Sequence, residues 1–140
     1  MLGAHSYGHA EDIPESIEKC FPPNPKKKLK YIHWFNTFSS DGGTIANNLP
    51  DSTLDIILKK GYTPIITWSP RFMNIPPLDA KQPRLINIVN GDYDAYINDF
   101  ADKLKSYKDT IIIRFMHEFQ GDWFPWSLIE NNMDTSVLPN

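Results

Sequence analysis

"YDAYINDFADKLKSYKDTIIIRFMHE", residues Tyr93 to Glu118, changes its apolar period half-way along. Tyr93, Tyr96, Ile97, Phe100, Ala101 and Leu104 recur at helical spacing, which predicts a helix over 93–107. From Thr110 to Met116 the apolar run is nearly continuous, as expected of a parallel strand covered on both faces. A helix that feeds such a strand is half of a βαβ unit.

The same alternation continues upstream. "TPIITWSP" (Thr63–Pro70) reads as a strand that Pro70 ends. "DSTLDIILKKG" (Asp51–Gly61) reads as a helix with Asp51 or Ser52 as cap, Leu54, Ile57 and Leu58 as its apolar stripe, and Gly61 as its stop. "KYIHWF" (Lys30–Phe35) is a further strand, and "MLGAHSY" with "PESIEKCF" (Pro14–Phe21) a further strand and helix. The order β-α-β-α-β-α-β predicts an α/β fold with a parallel sheet. Between Ser69 and Gly91 lies a long Pro-rich segment, expected to be a loop. It leaves the carboxyl end of a strand, where such folds place their sites.

With 140 residues, 41% hydrophobic and 22% charged, the chain has the size and composition of one globular domain. A net charge of −3 gives no electrostatic footprint for nucleic acid, and no stretch is apolar for long enough to suggest a membrane span. The basic run at Lys26–Lys30 precedes an apolar strand and reads as a solvated gatekeeper. Cys20 is the single cysteine, so no disulfide closes within the chain. "MLGAHSYGHAED" lacks the basic start and apolar core of a signal peptide, so these residues assign no compartment.

The expected carboxyl ends of the strands collect Trp34 and Asn36, then Trp68 and Ser69, then His117 and Glu118; Trp123 and Trp126 follow. A zinc protease needs a second histidine one helical turn after the first, and that position is Gly121. The remaining histidines, His5, His9 and His33, are distant in sequence, and no metal is expected. "SSDGGT" (Ser39–Thr44) lacks the glycine spacing of a phosphate loop, and no serine hydrolase elbow is present. Carbohydrate fits better. Pyranose rings offer an apolar face and a hydroxyl edge, which suit flat aromatics beside short polar groups. Glycoside cleavage also requires a protonated carboxyl near the leaving oxygen, and desolvation among aromatics would raise the Glu118 pKa toward that role. Two plainer readings stay open: a Glu118–Arg114 ion pair, and tryptophans that only pack the core.

"PIITWSP" (Pro64–Pro70), "PRLINIVNGDYDAYINDFADKLKSY" (Pro83–Tyr107) and "IIIRFMHEFQGDWFPW" (Ile111–Trp126) together resemble glycoside hydrolase family 26, the β-mannanase-like retaining glycosidases. The resemblance covers residues 62–126 well and the earlier part loosely. It implies a (β/α)8 TIM barrel, of which 1–140 would be the amino-terminal part, about four βα units of a single catalytic domain. Glu118 would be the general acid/base and His117 would line the site. Trp68 and Trp123 would be sugar platforms, and Trp126 would buttress or extend the same wall. Gln120 stands where the family usually has Asn.

The implied substrate is β-1,4-mannan or a related β-glycan, with no cofactor and no nucleic-acid or membrane partner. The family is usually exported. Its nucleophile comes from a seventh strand, expected beyond Asn140, so this chain is expected to be inactive alone and to self-associate through open sheet edges with an apolar inner face. The alternative is a non-catalytic carbohydrate-binding α/β domain.

Overall fold

The structure, a computed structural model, describes residues 2–5 (as backbone), 29–39, 49 and 51–132. The strands are β1 (Leu2–His5), β2 (Leu29–Ser39), β3 (Thr63–Phe72) and β4 (Ile112–Phe115). The helices are α1 (Asp51–Lys59), α2 (Leu85–Val89) and α3 (Asp94–Ser106), and a 3-10 turn follows at Ile129–Asn131. The expected helix at 14–21, Cys20, His9 and most of the Ser39–Thr44 turn lie outside the described residues.

The four strands form one sheet in the order β1-β2-β3-β4, and every neighbouring pair is parallel. Trp34 pairs with Ile66, Ile66 with Ile113, and Trp68 with Phe115. Alternation sends Ile32, Trp34 and Phe38 of β2, with Ile66 and Trp68 of β3, to one face. There they meet Leu54 and Ile57 of α1 and Tyr96 and Phe100 of α3 in a single buried cluster. Strand order thus follows chain order, and both long helices cover the same face.

Helix ends follow local chemistry. After α1, Gly61 adopts φ +78, its N–H bonds Leu58 O at 2.9 Å, and the Tyr62 N–H bonds Ile57 O at 3.1 Å. These two bonds form a Schellman stop, which needs a residue able to take the left-handed conformation. Gly91 ends α2 in the same way, with bonds from Gly91 to Ile88 and from Asp92 to Asn87. In α3, Asp94 lies in the first turn and Lys103 and Lys105 in the last, matching the helix dipole.

Three expectations are corrected. The Ser69–Gly91 segment is not all loop: β3 continues through Pro70 to Phe72, and α2 forms at its far end. β4 is not covered on both faces, for Ile112 and Ile113 are 38% and 36% exposed at the open edge of the sheet. The face opposite the helices is mixed rather than wholly apolar, because alternation places His33, Thr67, Ser69 and Arg114 there beside Phe35, Ile65 and Ile112.

Candidate functional site

That opposite face carries a connected polar network. The Thr67 hydroxyl, fully buried, lies 2.6 Å from His33 Nε2 and accepts a 2.8 Å bond from Arg114 Nε. The Phe35 ring sits 5.1 Å from the His33 ring and 5.1 Å from the His117 ring, with the Arg114 guanidinium 6.0 Å from its centroid. His117 Nδ1 is 3.4 Å from the Ser69 hydroxyl. Three adjacent strands therefore supply one continuous set of side chains.

At the end of β4 the backbone turns sharply. Met116 and Glu118 take φ of 50 and 55, left-handed values that cost a non-glycine residue about 1–2 kcal/mol each. The Met116 N–H still bonds Trp68 O at 3.2 Å, so the turn begins while the chain is tied to β3. His117 follows and contacts Ser69, whereas the Glu118 side chain stays exposed.

Glu118 Oε2 accepts a 3.1 Å bond from Trp123 Nε1. Arg114 is engaged by Thr67 instead, so the Glu118–Arg114 ion pair does not form. The exposure of Glu118 removes the desolvation expected of it. His117 is partly buried. Burial first, then the Arg114 and Arg71 guanidiniums, hold its imidazole below the ordinary value, while Glu118 pulls the other way.

The four tryptophans divide. Trp68 is only 7% exposed, stacks on Phe100 at 4.1 Å and donates to Tyr96 Oη at 3.4 Å. Trp34 is buried on the same helix-covered face. Trp126 is fully buried, donates to His117 O at 2.8 Å and stacks on Phe124 at 4.4 Å. Trp123 alone among them is open, at 49% exposure, with its indole resting against Gly121. Of the two roles open to each indole, packing describes Trp34, Trp68 and Trp126, and a presented ring describes Trp123.

Two amides that sequence reasoning passed over shape the rim. The buried Gln82 side chain accepts from Phe72 N–H at 2.8 Å and donates to Phe72, Ile75 and Pro76 carbonyls. Asn131 accepts from Leu85 N–H and donates to the Pro125 and Ser127 carbonyls. Nothing in the local pattern marks either residue, since each acts on backbone brought near by the fold. Among the described residues no group of three or more His, Cys, Asp or Glu side chains could hold a metal ion.

No family model matches the chain. Over 114 residues, 81% of its length, it is 32% identical to Endoglucanase H of Acetivibrio thermocellus. The match covers 11% of that protein. The chain is therefore a relative of a glycoside hydrolase, and it spans a small part of that relative's length.

Proposed function

We propose that the chain contributes the acid/base side of an endo-acting, retaining glycoside hydrolase site for β-1,4-mannan or a related β-glycan. One observation carries this reading: the Glu118 carboxyl and the exposed Trp123 indole meet at 3.1 Å at the carboxyl end of a parallel strand. An indole face for a pyranose and a carboxyl for the glycosidic oxygen are the two groups such chemistry asks of one wall. Similarity to an endoglucanase over four-fifths of the chain points the same way.

Strands in sequential order, with both long helices on one face, favour a barrel of the family 26 type over a doubly wound sheet, where helices cover both faces. In this reading Glu118 gives and takes the proton, His117 bonds substrate hydroxyls, and Trp123 stacks on a sugar ring. Trp126 and Trp68 stiffen the wall from beneath. A retaining mechanism takes a second carboxyl about 5 Å from the first. Glu130 is not assigned that part, because it pairs with Arg84 at 3.5 Å; nor is Asp122.

The exposure of Glu118 is the observation that favours the alternative, a binding domain without turnover. Tryptophan fluorescence titration with β-1,4-linked manno- and gluco-oligosaccharides tests the shared part. We expect saturable quenching that Trp123→Ala abolishes, and no response to any β-glycan would defeat both readings. Hydrolysis by the 140-residue chain, lost in Glu118→Gln, would show that the site is complete without a second carboxyl from elsewhere.

A further inference from the structure

The site holds more positive charge than a neutral sugar requires. Arg114 spends its Nε on Thr67, which fixes the plane of the guanidinium and leaves both terminal nitrogens without a partner among the described residues. Arg71 stands at the carboxyl end of β3, two residues past Ser69. Its Nε is buried and makes no hydrogen bond, and no carboxylate pairs with it among the described residues. Burial lowers the Arg71 pKa, and both guanidiniums lie near enough to His117 to push its imidazole down as well.

The Arg71 Nε is too deeply buried for a ligand to reach, but its terminal nitrogens are not buried and, like those of Arg114, make no hydrogen bond among the described residues, so they are the donors a ligand would meet. The charge around His117 suggests what arrives. Arg114 and Arg71 both act on His117 as cations, so the groove around it leans positive and suits an anion. The planar guanidinium fork also matches a planar carboxylate, with two parallel bonds. Beside the open Trp123 ring, that carboxylate would belong to a sugar.

We propose that the ligand of this groove is a carboxylate-bearing glycan, a chain containing uronate-type sugars, whose carboxylate is held by Arg71 and Arg114 beside Trp123. The proposal rests on the saccharide reading above and narrows its substrate class. A β-1,4-linked mannuronate is a β-1,4-mannan unit oxidised at C6, so ring stacking on Trp123 and access of the linkage to Glu118 are retained.

Fluorescence titration of the full chain with β-1,4-mannuronate and β-1,4-mannose oligomers of equal length tests it. The acidic oligomer should bind at least about tenfold more tightly at low salt, and the gap should narrow as salt shortens the screening length. Arg71→Met should remove the preference while leaving affinity for the neutral oligomer unchanged. Arg71→Lys, which keeps the charge but loses the fork, should retain part of the preference, and near-ultraviolet circular dichroism should show both variants folded. Equal or tighter binding of the neutral oligomer overturns the proposal and leaves the saccharide site standing. Binding of neither oligomer overturns both. Acetate that competes as well as the acidic oligomer at equal concentration would mark a free-anion site and overturn the proposal.

Discussion

Replacing Gly121 with alanine should detach Trp123 from Glu118 without unfolding the protein. A Cβ at position 121 would lie 2.6, 2.7 and 2.9 Å from three atoms of the Trp123 indole. Carbon atoms settle at about 3.5–4.0 Å, so the ring must retreat by about 1 Å. The bond from Trp123 Nε1 to Glu118 starts at 3.1 Å, and that retreat carries it past the limit of a useful hydrogen bond. A bond to a charged acceptor is worth about 1.5–3 kcal/mol, but this one is open to solvent, and about 1 kcal/mol is a fair discounted figure.

The assay is the indole N–H resonance of each tryptophan in a nitrogen–proton correlation spectrum. Trp123 should move toward the position of a solvated indole. Trp126, whose N–H is buried against His117 O at 2.8 Å, should stay in place and serves as the control. Global stability should change by less than about 1 kcal/mol, because the broken contact is at the surface. An unmoved Trp123 resonance would refute the reasoning, and a Trp126 shift of equal size would mean that the whole loop had been displaced.

Phe100→Ala removes the buried ring stacked on Trp68 and should cost about 3 kcal/mol, read from the denaturant midpoint at unchanged slope. Gln82→Ala removes the side-chain partner of the Phe72 N–H and of the Phe72 and Ile75 carbonyls, while Pro76 O keeps its bond from the Asp79 N–H; we expect about 2 kcal/mol of destabilisation and faster proteolysis between Met73 and Lys81. His117 has a folded-state pKa below its ordinary value of 6.5, so the unfolded chain binds the proton more readily. Stability should therefore be full above that value and fall as pH drops through it toward the lower folded value. Denaturant midpoints measured across this range should lose that slope in His117→Gln, and an unchanged slope would assign it to another group.

The order of β2, α1, β3, α3 and β4 is legible in periodicity, residue type and punctuation. The α3 stripe and the apolar run of β4 differ so plainly that their junction needs no further information, and Gly61 marks the stop of α1 by its position. α2 was hidden because Leu85–Val89 is too short to show a period and follows a Pro-rich stretch. β3 was cut short at Pro70 because proline lacks a ladder donor, yet the strand continues through a register irregularity opposite Thr37–Ser39. Nor could the sequence supply the network of His33, Thr67 and Arg114. Those contacts span 34 and 47 residues, and they exist only once the register of three strands is set. Residue type and place point to Glu118 and Trp123, but which tryptophan stays open depends on packing.

Trp123 and Trp126 are three residues apart in one loop, and their opposite fates explain how the site is held. Trp126 is drawn under the loop by its bond to His117 O and its stack on Phe124. Asn131 and the Leu128 N–H, which bonds Phe119 O at 2.9 Å, then close the segment over it. A loop fixed at so many points can present Trp123 without the entropy loss that a mobile ring would incur on binding. The same anchoring stabilises the left-handed turns at Met116 and Glu118, which no isolated strand end would adopt. The sheet therefore decides where the carboxyl emerges, and the buried indole of Trp126 keeps its exposed partner in place. It follows that Asn131 and Trp126, which anchor the loop, should matter to the position of Trp123 as much as the residues that touch its ring.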